Sequence, residues 1–226
     1  MLNICTFWWG DKYSLEYVQK LAVGLRRNIT QEYRFSVFTD KGFFNAQYVD
    51  DILHIPEVDK PLCTRGCFVR LRLFDPQWQQ RYNFSDRIVS IDLDSVITGP
   101  LDYLFDRPEP FVILQGGNSS NPNPYGGALQ MLRVGAYLEV WTDFSLEAAA
   151  KVPHADFTDD QAWIYAKIPN AACWMVGIES GVYCFQKPGW PLGSNLPKGA
   201  RFVTFRGNNL PIKYTHLDWV HDHWRL

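Results

Sequence analysis

Two carboxylates, Asp92 and Asp94, close the run Arg87-Ile88-Val89-Ser90-Ile91-Asp92-Leu93-Asp94-Ser95. The apolar residues ahead of them predict a buried strand that delivers both acids at its carboxyl end. A spacing of two puts them on one face of an extended backbone. In open α/β sheets, ligands bind outside the carboxyl ends of the strands. Two hard oxygen donors at such a place suit a divalent cation that also holds phosphate oxygens. The plain alternative is a pair of loop or cap carboxylates.

Other groups could serve the same chemistry. Lys12 and Tyr13 follow the first predicted strand, at a turn into a helix, where they either reach a nucleotide or stand as solvated turn residues. Arg65, Arg70 and Arg72 cluster ahead of the acidic pair. One of them, aimed at the strand ends, would neutralise a diphosphate, because guanidinium binds phosphate oxygens bidentately. The other two read as a solvated basic face. Thr158 or Asp159 is a candidate N-cap, with Asp160 and Gln161 just inside the helix, where a side chain can face a substrate. His54, between Leu53 and Ile55, reads as a packed strand residue.

These residues need a scaffold, and hydrophobic periodicity supplies it. Strands are expected at residues 2–9, 33–40, 52–56, 110–114, 128–132, 181–185 and 201–205. A helix is expected over 13–27, with Leu15, Val18, Leu21, Ala22 and Leu25 on one face and Ser14 as its cap. Further helices are expected over 67–74, stopped by Asp75-Pro76, over 135–150, from 157 onward, and over the aromatic tail 217–226. Gly99-Pro100 leads into a short apolar helical turn, and the Gly-, Asn- and Pro-rich stretch 116–127 reads as a long loop of functional length. Strands alternating with helical crossovers argue for an α/β fold with a mostly parallel central sheet flanked by helices.

Composition sets the outer bounds. The 226 residues are 46% hydrophobic and 20% charged, which suits a globular chain, read here as one domain over 1–226. A formal net charge of −2 gives no basic field for nucleic acid. Nine Trp and eleven Tyr supply rings that often line carbohydrate or nucleotide sites, besides filling cores. The five cysteines, at 5, 63, 67, 173 and 184, lack the spacing of a zinc module and read as free, mostly buried thiols in a reducing compartment. Gly10 and Asp11 interrupt the N-terminal apolar run too early for a secretory signal, and no run approaches the roughly 18 residues of a membrane span. A cytoplasmic protein is expected.

Arg70-Leu71, followed by Ile91-Asp92-Leu93-Asp94 and Gly99-Pro100-Leu101-Asp102-Tyr103-Leu104-Phe105, resembles the nucleotide-sugar signature of the GT-A glycosyltransferases, especially family 8 and its bacterial relatives. The similarity continues in order through Gly-Ala-Leu-Gln-Met-Leu at 127–132, Asp160-Gln161 and Phe205-Arg206-Gly207, so it spans nearly the whole chain. It implies a GT-A (Rossmann-like) fold, a UDP-sugar donor, and a Mn²⁺ or Mg²⁺ ion between Asp92, Asp94 and the diphosphate. It also implies a catalytic, sugar-facing role for Asp160 and Gln161 and nucleotide contacts from Arg70, Lys12 and Tyr13. A retaining transfer to a glycan, lipid-linked, protein or small-molecule acceptor would follow. Departure of UDP builds negative charge on a phosphate, which a bound cation offsets.

Two positions depart from the family. Its members usually carry a His in or beside the Phe-x-Gly segment as a third metal ligand; here Thr204 and Arg206 stand there. Either two Asp residues and water hold the ion, or Arg206 takes part of the phosphate charge; His216 is a nearby spare. At Tyr125-Gly126-Gly127 the family's sugar-binding Asn is missing. Two rival readings remain. Ile-Asp-Leu-Asp and Asp159-Asp160 also resemble the acidic motifs of haloacid-dehalogenase-type phosphohydrolases, although the expected Gly-Thr does not follow. A sugar-nucleotide-binding protein without turnover is the other.

Overall fold

Every residue of β1 (Leu2–Trp8) is buried, and its alternating side chains feed two cores. Leu2 and Ile4 enter one, Cys5 and Phe7 the other. In this computed structural model, residues 1–64, 66–116, 123–154 and 158–226 are described. α1 (Leu15–Asn28) buries Val18, Leu21, Ala22 and Leu25 against the first core. Each fully buried Leu contributes about 1.5–3 kcal/mol. The chain returns as β2 (Tyr33–Thr39) and then β3 (Asp51–His54), both parallel to their neighbours.

A 3₁₀ segment, Phe68–Phe74, precedes α2 (Pro76–Arg81) and β4 (Arg87–Ile91). There follow β5 (Ser95–Ile97), α3 (Asp102–Phe105), β6 (Phe111–Gln115) and β7 (Tyr125–Arg133). α4 (Glu139–Thr142), α5 (Leu146–Ala150) and α6 (Asp160–Lys167) lead to β8 (Ala172–Trp174), β9 (Val182–Cys184), β10 (Phe202–Thr204) and α7 (Asp218–His223). The main sheet has the order β3-β2-β1-β4-β7-β6-β8. Only β7 runs against its neighbours, β4 and β6, so the sheet is mostly parallel and Rossmann-like in kind. β5, β10 and β9 form a second, small sheet.

The first core lies between the main sheet, α1, the small sheet and α7. The second lies on the opposite face, under the 3₁₀ segment, α2, α4, α5 and α6. No helix among the described residues is long and apolar enough to cross a membrane. All five cysteines are free; Cys5 and Cys184 are buried and the other three are half-buried.

Several local expectations change. The helix expected over 135–150 is two short ones: Gly135 (φ 82°) and Tyr137 (φ 51°) turn the chain through the left-handed region and delay its start to 139, and the extended backbone at Ser145, which caps α5, separates the two. The stretch 67–74 winds as 3₁₀ instead of α, and Asp75, which stops it, caps the unforeseen α2 by accepting from Gln77 N. Ser14 holds the N-cap position of α1, but its hydroxyl makes no capping bond. His54 lies on the edge strand and is exposed, not packed. β5 and β8, three residues each, were not expected as strands.

Candidate functional site

β1 and β4 are neighbours, and their carboxyl ends open onto a cavity of about 350 Å³. Its walls include Phe7, Trp9, Lys12, Tyr13, Cys67, Arg70, Asp92, Asp94, Gln161 and Arg206. The acids sit in the turn after β4, one step beyond the extended backbone. Asp92 N donates to Ala128 O at 3.0 Å, and Thr6 Oγ1 donates to Ile91 O at 2.7 Å, so the turn is fixed to strands on both sides.

Asp94 is 5% exposed. Burial and the facing Asp92 push its carboxyl up to about 6, against Lys12 and the Tyr13 hydroxyl. Tyr13 Oη donates to Asp94 Oδ2 at 2.6 Å, and Lys12 Nζ stands 3.6 Å from the same oxygen. Burial and Asp94 hold the Tyr13 phenol above its ordinary value, so it stays a donor. Its backbone is pinned in turn by Trp8 Nε1, which donates to Tyr13 O at 2.8 Å. Tyr13 therefore orients Asp94.

Arg70 is 4% exposed and fully engaged. Its Nε and Nη2 donate to the two oxygens of Asp160 at 2.8 and 3.0 Å, while Nη1 donates to Asp92 Oδ1 at 2.6 Å and Gly127 O at 2.9 Å. Burial opposes its charge, but Asp160 and Asp92 outweigh that and hold the guanidinium well above its ordinary value. Gly127 makes room for this arrangement, since a Cβ there would overlap the Arg70 guanidinium.

Asp160 and Gln161 part company. Asp160, the first residue of α6, is 0% exposed, faces Arg70 and does not border the cavity; Gln161 does. Burial pushes the Asp160 carboxyl up, and Arg70 opposes it. Asp159 is the helix cap, accepting from Ala162 N at 2.7 Å. Arg72 is held by Asp59 and Asp75 away from the cavity, not on a solvated face, and Arg65 lies outside the described residues. Residues 117–122 of the long loop and Phe157 are outside them too. His216 is exposed and borders no part of the cavity.

Comparison of the chain with protein-family models and with curated proteins finds no match.

The arrangement itself limits the chemistry. Among the described residues no three His, Cys, Asp or Glu side chains converge as a metal cage. Two carboxylates do converge, and Mg²⁺-type ions are commonly held by one or two carboxylates plus substrate phosphates and water. The residues present fit such an ion in that shared form. Formal charges around the cavity balance: Arg70 offsets Asp160, and Lys12 and Arg206 offset Asp92 and Asp94. Sequence reasoning missed Phe7, Trp9 and Cys67 on the wall. Trp9, directly before the Gly10 turn, was the one legible among them, since strand ends carry sites.

Proposed function

We propose that the chain is a GT-A-type glycosyltransferase that moves a sugar from a UDP-sugar to an acceptor with the help of Mn²⁺ or Mg²⁺. The observation that carries this reading is the acidic pair at the carboxyl end of β4, with Asp94 buried and its carboxyl raised by burial and by Asp92. Two like charges held together in a cavity favour a divalent cation between them. A balanced cavity that gains a divalent ion then matches the two negative charges of a diphosphate diester.

Asp92 and Asp94 would hold the ion, which when bound offsets charge on the departing diphosphate. Arg70 is a positioning residue here: it fixes Asp92 and is itself fixed by Asp160. Tyr13 does the same for Asp94. Lys12, half exposed at the rim, is free to swing toward a phosphate. Gln161, and not Asp160, offers a polar side chain to the donor sugar, with Trp9 as a nearby apolar wall.

Calorimetric titration of UDP with and without Mn²⁺, on wild type and Asp94→Ala, tests the reading. Binding that requires the ion and is lost in a variant that still melts cooperatively supports it. A folded wild type that binds no UDP under either condition overturns it. A second reading, nucleotide-sugar binding without turnover, is favoured by the withdrawal of Asp160 from the cavity. Incubation with UDP-sugars separates the two: hydrolysis or transfer supports the enzyme, and ion-dependent binding without either supports the binding protein.

A further inference from the structure

Arg206 contrasts with Arg70, the other arginine on the cavity wall. Arg70 is paired with Asp92 and Asp160. Arg206 lines the cavity half-buried, and among the described residues it forms no ion pair. Among the described residues its guanidinium makes no side-chain hydrogen bond, although its charge lies close enough to Cys184 to oppose the burial that raises that thiol. A guanidinium has five N–H donors, so most of the capacity of this one is open to a ligand.

The backbone holds Arg206 at this place. It follows Phe205, whose N–H donates to Asp94 O at 2.9 Å, so the segment after β10 is tied directly to the acidic turn. The guanidinium lies over Gly126: a Cβ at that position would stand 2.7 Å from Arg206 Nη2. A methyl group at 126 would push the tip of the guanidinium from this part of the wall. A planar, permanently charged fork facing a cavity suits one ligand chemistry above others, the paired oxygens of a phosphate.

We infer that Arg206, seated over Gly126, is a phosphate-binding residue that holds a diphosphate in this cavity even without a divalent ion. The inference deepens the proposed UDP-sugar reading and rests on it for the identity of the natural ligand. The anion site itself stands on the geometry alone. It assigns Gly126 a role as well, as the residue that admits the guanidinium.

The probe is inorganic pyrophosphate, titrated calorimetrically in EDTA against wild type, Arg206→Gln, Gly126→Ala and Lys151→Gln. Wild type should bind, Arg206→Gln should bind roughly tenfold to a hundredfold more weakly, as expected for losing charge-assisted hydrogen bonds, and Gly126→Ala should move in the same direction. Lys151→Gln removes one surface charge from an exposed pair with Glu147 and should change nothing. Wild type that binds no pyrophosphate in EDTA, Arg206→Gln that binds as tightly as wild type, or Lys151→Gln that weakens binding equally would each overturn the inference. UDP titrated with Mn²⁺ separates the two readings. UDP binding with the ion but no pyrophosphate binding in EDTA leaves the UDP-sugar reading and removes this one. Arg206-dependent pyrophosphate binding with no UDP binding under any condition keeps the anion site and removes the nucleotide.

Discussion

Replacing Arg70 by Met would leave the Asp160 carboxyl, 0% exposed, without either of its two charge-assisted hydrogen bonds. It would also strip Asp92 Oδ1 and Gly127 O of a donor. Removing one partner of a buried ion pair costs about 3–5 kcal/mol, because the other charge stays desolvated and alone. Asp160→Asn is the milder change. It keeps an acceptor in place, and Arg70 retains Asp92 and Gly127, so the loss is about 1–3 kcal/mol, that of weakened charged hydrogen bonds. The two halves of one pair should therefore differ in cost by about 2 kcal/mol.

Urea denaturation of wild type, Arg70→Met, Asp160→Asn and the double variant Arg70→Met/Asp160→Asn measures this. With a slope of about 2 kcal/mol per M, Arg70→Met should lower the midpoint by roughly 2 M and Asp160→Asn by roughly 1 M. The double variant carries no lone buried charge. It should be less destabilised than the sum of its parts by about 1 kcal/mol or more. pH adds a further sign. Burial, with Asp159 and Asp92, already raises the folded Asp160 carboxyl to about 7 against the opposition of Arg70, and without Arg70 it rises further above the unfolded value. The folded variant then binds the extra proton, so its deficit against wild type should shrink from pH 8 toward pH 5. Equal costs for the two single variants, or strictly additive ones, would refute the reasoning.

Two further outcomes follow from the geometry. Trp224, 3% exposed, stacks edge-on against Tyr17 at 5.0 Å and carries Lys20 Nζ over its ring at 3.7 Å; Trp224→Ala should cost about 3–5 kcal/mol and lower the melting temperature by roughly 10 °C. A thermal melt shifted by less than about 2 °C would show that the tail is not docked on α1. Glu109 is held down to about 2, first by its hydrogen bonds from Arg107. Its folded pKa lies below the unfolded 4.5, so its stabilisation is complete above pH 4.5 and is lost as pH falls toward 2. The pair is about a third exposed, which limits it to below about 1 kcal/mol. The urea midpoint difference between wild type and Glu109→Gln should be flat from pH 7 to 5 and shrink by pH 3; a difference that widens on acidification contradicts the assignment.

Local pattern carried much of the fold. β1, β2, β4 and α1 were legible because each buries a continuous or one-faced set of apolar side chains, and their bounds differ from expectation by two residues at most. The break in 135–150 was not legible, for a physical reason. Tyr137, Trp141 and Phe144 all pack on the second core, so helical spacing persists even though Gly135 and Tyr137 turn the chain before α4 and Ser145 is extended between α4 and α5. Periodicity reports which side chains face a core, and it does not report whether the backbone between them is continuous. β5 and β8 escaped because three residues hold too few alternations to count.

The site divides along the same line. Asp92 and Asp94 were readable because what matters about them is local: two acids just past the end of a buried run. Arg70 was visible as a cation near the strand ends, but its partner lies 90 residues away, and no spacing rule reaches across that distance. Asp160 and Gln161 show the limit most directly. As neighbours on a helix they point about 100° apart, so a pair that reads as one motif divides into a buried anchor for Arg70 and a side chain on the cavity wall. Gly126 and Gly127 add the converse case. In the chain they are two small residues just after Tyr125, where the family's amide was expected; in three dimensions their missing Cβ atoms leave room for two guanidiniums, one engaged with Asp92 and Asp160, the other open to a ligand.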